Sequence, residues 1–212
     1  MKIVDLSRTD GIGASCQWLE IGPFRVMIDA GLDPKGVGLE ATPCFEAAPY
    51  EPADAIVLTH CHLDHLGSLP LAAQRYPAAP ILCSRPSEVL APRMLRNSAN
   101  VMKRQRVEQG ISEYPLYGRK AIDNLDERLI GLDYRKPFHL EKDGKELTIT
   151  LYRAGHIVGA AGVLLSYKHR QIFVTGDVLF GPQRTLPGAD FPDFPLDTLI
   201  METTRGSTER AA

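Results

Sequence analysis

The chain has 212 residues, of which 44% are hydrophobic and 24% charged. Those values suit one globular domain with a sizeable buried core and argue against a disordered or fibrous chain. A formal net charge of -2, with no strongly one-sided stretch, leaves room only for a local polyanion site. Four cysteines, Cys16, Cys44, Cys61 and Cys83, lie far apart with no C-x-x-C pair, and the first residues lack the apolar core of a signal peptide. A reducing cytoplasm is the expected compartment. No apolar run approaches the roughly 18 residues that a bilayer-spanning helix needs, so no membrane insertion is expected.

In chain order, short apolar or alternating runs bounded by turn residues predict strands over 2–6, 15–21, 24–28 and 55–59. The stretch 31–52, broken by Gly31, Pro34, Gly36, Gly38, Pro43 and Pro49, reads as a surface loop. After a histidine-rich run, Leu66, Leu69, Ala73 and Tyr76 recur at helical spacing, with Pro70 tolerable only in the first turn. A strand over 80–83 follows. From Pro92 onward, Leu95, Ala99 and Met102 give the stripe of an amphipathic helix, and a second helix is expected over 121–130. Strands are predicted over 148–152, 162–167, 171–175 and 198–201, with Lys142-Asp143-Gly144-Lys145 as a hairpin turn. There is no internal repeat. Strands at both ends with helices between fit a layered α/β domain in which a mixed sheet is covered by helices.

The chemistry concentrates in Thr59-His60-Cys61-His62-Leu63-Asp64-His65. In an extended segment i and i+2 point to one side, so His60 and His62 can grip one ion, while the following turn swings Asp64 and His65 toward a second. As an accident of composition, such a run would arise in on the order of one in several thousand chains. Cys61, between two ligands, should face into the fold as an inert thiol. His156, in Gly155-His156, and Asp177, closing Phe173-Val174-Thr175-Gly176-Asp177, are metal-capable side chains beside glycine at strand ends. With the first cluster they supply a third imidazole for one ion and a carboxylate able to bridge both. Imidazole and carboxylate suit zinc first, with manganese or iron also accommodated. His139 and His169 match no motif and read as surface or packing residues.

The H-x-H-x-D-H run, the Gly-His and Gly-Asp loops, and Asp29 closing Arg25-Val26-Met27-Ile28 together resemble the ordered motifs of the metallo-β-lactamase superfamily. The segments 154–161 and Ile200-Met201-Glu202-Thr203-Thr204-Arg205-Gly206 resemble its β-CASP branch of RNA- and DNA-processing nucleases, which commonly carries tyrosine where this chain has Arg205. The resemblance implies an α/β metallo-β-lactamase fold, a layered αββα sandwich, over residues 1–206, with 207–212 as a tail. It implies two divalent ions: His60, His62 and His156 on the first, Asp64 and His65 on the second, and Asp177 bridging. Asp29 would orient the histidine loop, and Glu202 would be an orienting acid near the site.

Two ions about 3.5 to 4 Å apart activate a shared water and steady developing charge, so hydrolysis is the expected reaction, with Asp64 helping to orient the nucleophile. The leading substrate is nucleic acid, RNA ahead of DNA. The β-CASP-like ending favours it, as does the basic stretch Arg93, Arg96, Lys103, Arg104 and Arg106, whose bland alternative is the solvated face of a helix. A small-molecule hydrolase acting on a thioester, lactam or phosphoester is the alternative, and a non-catalytic metal-binding scaffold in a processing complex ranks third. In the resembled branch a further histidine completing the second ion site follows a long inserted domain. Here no histidine follows His169. The chain is therefore expected to be an amino-terminal portion of a longer protein, or to be completed by another chain; alone it is expected to hold the first ion well and the second weakly, to hydrolyse phosphodiesters poorly if at all, and to self-associate through an open sheet edge and uncovered apolar surface.

Overall fold

The computed structural model describes residues 1–8, 13–49, 51–204 and 206; Arg205 and the tail 207–212 lie outside the described residues. Among the described residues eleven strands form two sheets, the two β layers of the expected sandwich. The first contains β1 (Lys2–Asp5), β2 (Gln17–Ile21), β3 (Phe24–Ile28), β4 (Ala55–Val57), β5 (Ile81–Ser84) and β6 (Leu129–Leu132), side by side in that order. Strands β1 to β3 pair antiparallel and β3 to β6 parallel. The second sheet holds β7 (Pro137–Lys142), β8 (Lys145–Arg153), β9 (Ala161–Tyr167), β10 (Arg170–Val174) and β11 (Thr198–Ile200), antiparallel except for the last pair.

Alternation along each strand explains how the sheets meet. Leu147, Ile149 and Leu151 of β8, Val163 and Leu165 of β9, and Ile172 and Val174 of β10 all point one way and pack on Leu19, Ile21, Val26, Ile28 and Val57 of the first sheet. The opposite residues of the first sheet, among them Trp18, Met27, Ile56, Ile81 and Cys83, are covered by four helices. These are α1 (Leu63–Leu66), α2 (Leu69–Arg75), α3 (Arg85–Gln109) and α4 (Arg119–Asp126). On the outer face of the second sheet Tyr152, Leu164 and Phe173 are covered by Phe191 and Leu196 from an irregular segment, not by a helix among the described residues.

Most predicted elements are found within a few residues of their expected ends, and the described part of the expected loop, 31–49 and 51–52, is irregular apart from two single 3-10 turns. Four differences have physical causes. The helix after the histidine run is two pieces, because Ser68 turns its N–H to Ala30 O at 2.7 Å and its hydroxyl to Gly31 O at 2.6 Å. Helix α3 starts about two turns before Pro92. Ser84 caps it by accepting from Ser87 N, and Pro92 sits buried inside, where it gives up one backbone bond. The helix expected over 121–130 ends at Asp126, and Leu129–Leu132 instead pairs parallel with β5. Arg128 fixes that turn by donating to the carbonyls of Ala73, Tyr76 and Ala79. Strand β7 has only Phe138 and Leu140 facing the core, too weak a period to stand out in the sequence.

Candidate metal centre

The first sheet presents one half of the site. Beyond β4 the chain runs through Thr59 to His62 and into α1, and this run is pinned by backbone bonds to the segment after β3, which runs antiparallel to it, and to Ser15 ahead of β2. Ala30 N donates to His65 O (2.9 Å), Leu32 N to Leu63 O (2.8 Å) and Ser15 N to Asp64 O (2.9 Å). The two segments lie so close that a Cβ at Gly31 would stand 1.6 Å from Asp64 O, so only glycine fits there. Cys61 is buried with its thiol toward Ser87 O, and burial pushes its pKa up to about 11.

Asp29 is the anchor of this half. Buried and in the left-handed region at φ 60, it accepts from Thr59 N (2.7 Å), from Thr59 Oγ1 (2.7 Å) and from His65 Nδ1 (2.7 Å). With its proton committed to Asp29, the Thr59 hydroxyl can only accept from His60 Nδ1–H, 3.1 Å away. The tautomer follows: His60 Nε2 carries a lone pair facing the cluster. Thr59 is thus a member of the site that the sequence alone does not reveal; its only signal is its position before the histidine run.

The second sheet presents the other half. His156 lies on the β8–β9 connection and Asp177 just beyond β10, and the two loops are joined by a bridge between Gly155 and Val178. All four donors converge. His62 Nδ1 lies 3.2 Å from His60 Nε2 and 3.1 Å from His156 Nε2. Asp177 Oδ2 lies 3.9 Å from His60 Nε2 and 3.5 Å from His156 Nε2, and one ligand atom from each of the four residues fits within 4.8 Å of the others. Two close nitrogens face His62 Nδ1, which holds at most one proton, so at least one of these contacts lacks a hydrogen bond. A cation among them satisfies all four, and nitrogens on one tetrahedral ion at about 2.0–2.1 Å stand about 3.3 Å apart. The donor set fits a divalent metal.

Asp177 faces two ways. Its Oδ1 lies 3.3 Å from His65 Nε2, which is itself 3.9 Å from Asp64 Oδ2. Asp64, His65 and the Oδ1 side of Asp177 therefore form a second, looser group that opens on a cavity of about 410 Å³, also lined by Glu202, Ser15 and Gln17. Burial would lower the pKa of His65, but the Asp29 and Asp177 carboxylates outweigh it and raise it to about 10. Burial, then the neighbouring His65, holds His60 neutral, and burial likewise lowers His156. Against burial, His65 and the other imidazoles hold Asp177 ionised. Neutral His60 and His156 beside an ionised Asp177 are the protonation states that metal binding requires, whereas His65 has to give up a proton before it can hold an ion.

Glu202, expected near the site, accepts from Val178 N (3.3 Å) and Thr204 N (3.0 Å), bracing the segment that follows Asp177. The structure does not bring the basic stretch to the site. Arg96 is engaged by Asp123 (3.2 Å) and Asp126 (3.1 Å) of α4, and Arg106 donates to Tyr114 O (2.9 Å). Arg93, Lys103 and Arg104 are exposed on α3. The α3 end near the site is at Ser87, which bonds Gly159 O at 3.2 Å, and Arg104 lies about 25 Å further along the helix axis. His139 is exposed and pairs with Glu146 at 3.1 Å, and His169 is exposed. No helix among the described residues is long and apolar enough to cross a membrane.

Comparison with known proteins finds relatives along nearly the whole chain. Endoribonuclease YSH1 of Eremothecium gossypii is 28% identical over 208 residues, covering 97% of this chain and 26% of that protein. An RNase J-like protein of Methanocaldococcus jannaschii is 30% identical over 92% of this chain and 41% of its own length. The cleavage and polyadenylation specificity factor subunit 3-II of Arabidopsis thaliana is 30% identical over 95% of this chain and 32% of its own. The chain thus spans between about a quarter and two fifths of these relatives. Among solved structures, an archaeal metallo-beta-lactamase superfamily protein from Sulfolobus tokodaii superposes with a TM-score of 0.51 at 22% identity, over 89% of this chain and 70% of that one, which shows the shared fold. The family model of the metallo-beta-lactamase superfamily matches residues 13–211, and with the layered fold and the His/Asp cluster already described, the chain belongs to that superfamily.

Proposed function

We propose that this chain is the metal-binding unit of a hydrolase that cleaves phosphodiester bonds in RNA. The carrying observation is the convergence of His60, His62, His156 and Asp177, with Asp64 and His65 on the far side of the same aspartate. The RNA substrate is supported by the identities of the relatives, which are an endoribonuclease, an RNase J-like protein and a cleavage and polyadenylation factor subunit.

In this reading His60, His62, His156 and Asp177 would hold one ion, zinc by donor type, and Asp64 and His65, with Asp177 shared, would hold a second. Such ions acidify water and stabilise charge that develops on phosphorus oxygens. The protein's own contribution is placement. Asp29 and Thr59 fix the tautomers and ring directions of His60 and His65. Asp64 opens on the cavity, where its carboxylate accepts a hydrogen bond from the attacking water and orients it. Glu202 ties down the loop after Asp177. The test is incubation of metal-loaded protein with labelled RNA, single-stranded DNA and a thioester. Metal-dependent cleavage of RNA ahead of the other two is expected, and turnover of the thioester alone would sink the nuclease reading.

A further inference from the structure

His156 differs from the other imidazoles of the cluster in how it is held. His60 is fixed by Thr59, and His65 by Asp29. His62 leads directly into α1. His156 sits on a loop between two strands, and its ring is half-buried. Gly155, in the left-handed region at φ 75, turns the backbone so that two successive carbonyls, those of Gly155 and His156, face the same neighbour. That neighbour is Gln183. Its Nε2 lies 2.7 Å from Gly155 O and 2.9 Å from His156 O. A side-chain amide nitrogen carries two N–H groups, so each carbonyl receives its own bond.

Gln183 is itself set in place. Its backbone N–H donates to Leu186 O at 2.8 Å, and the segment that carries it starts from Asp177: Leu179 N donates to Ala154 O at 2.9 Å, and Ala189 N to Leu179 O at 2.8 Å. The amide therefore joins the loop of one ligand to the segment leaving the other. We infer that Gln183 is a positioning residue that fixes the His156 imidazole against Asp177, an inference resting on the metal-centre reading above. Gln183 is exposed and His156 half-buried, so water can take the place of the amide at little cost to the fold. What is lost is the direction of the imidazole, and outer partners of metal ligands change affinity by about 10 to 100-fold.

The test is Co²⁺ titration of the full chain, read by the visible absorption of the bound ion and by melting temperature with and without it. Gln183→Met removes both donors at similar length and is expected to weaken Co²⁺ about 10-fold with an unchanged melting temperature in the ion-free state. Gln183→Glu sets a carboxylate against two carbonyl oxygens and should weaken it further, moving the spectrum toward that of His156→Ala. Native affinity and spectrum in both variants overturn the inference. So does an ion-free melting temperature that falls as far as the Co²⁺-loaded one, which would make Gln183 a merely structural residue. A native chain that takes up no Co²⁺ overturns the metal-centre reading and this inference with it.

Discussion

The two sheets build their halves of the site by unlike means. The first delivers His60, His62, Asp64 and His65 from one short run, held by backbone bonds to 30–32 and by the buried Asp29. The second delivers His156 and Asp177 from two separate loops, joined by a single bridge, a few loop bonds and one side-chain amide. Backbone pairing inside a core is part of the fold itself, whereas loop contacts can be altered while the fold stands. Damage to the second sheet's half should therefore appear as lost metal chemistry in a folded protein, and damage to the first half as both lost chemistry and lost stability.

The sharpest break should come at Asp177, the residue that faces both ligand groups. Asp177→Ala is expected to lower hydrolytic turnover by more than the about 10 to 100-fold typical of an outer partner, with the circular dichroism of the folded chain retained. Turnover equal to that of Asp29→Ala, with the same metal content, would contradict the bridging role. His60→Ala comes next. Elemental analysis should show the tightly held ion gone, together with its stabilisation by linkage, about 2.7 kcal/mol for an ion at 100 times its Kd. Unchanged metal content would rule out the assignment. Asp29→Ala should cost about 10 to 100-fold in metal affinity, and it should also lower the melting temperature without metal, because Thr59 N and Thr59 Oγ1 lose a buried acceptor. A melting temperature unaffected by that change would erase the contrast between the sheets.

A finer distinction lies between the two ligand groups. The first group has four donors within 4.8 Å of one another, whereas the second has three, Asp64, His65 and Asp177 Oδ1, and opens on the cavity. Isothermal titration of this chain should give one strong site and a second weaker by about 10-fold or more; two equal strong sites would show the open side to be complete as it stands. The smallest effect is expected at Arg104. Arg104→Glu should leave turnover intact and reduce the slope of log affinity for RNA against log salt by about 0.7, the value of one single-strand phosphate contact. An unchanged slope assigns the basic face of α3 to solvent.

Legibility in the sequence follows the same division. The first half can be read because its ligands are contiguous, and histidines at i and i+2 on a strand exit point to one side and hence to one ion. His156 and Asp177 are readable only as glycine-flanked side chains at strand ends. Thr59 and Gln183 are invisible, since a threonine beside histidines and a glutamine in a proline-rich loop acquire roles only from partners distant in sequence. In the fold, strong alternation in β8 to β10 announces the inner core. Strand β6 is hidden because Leu129, Ile130 and Leu132 continue a helical stripe, and only the open edge of β5 decides against it. The second sheet itself is not separable from the first in the sequence, because alternation reports that a strand has an inner face and not which sheet owns it.

Gly31 has no donor atom to offer an ion, yet the main chain of Asp64 leaves no room for a single methyl group beside it. The coordination sphere therefore inherits the stiffness of the strand exit behind it, and the tolerance of that position is set by the radius of a hydrogen. A displacement imposed there is passed on through shared van der Waals contact to Asp64 and His65, so the reach of the metal chemistry into the sequence extends to residues that never approach the metal.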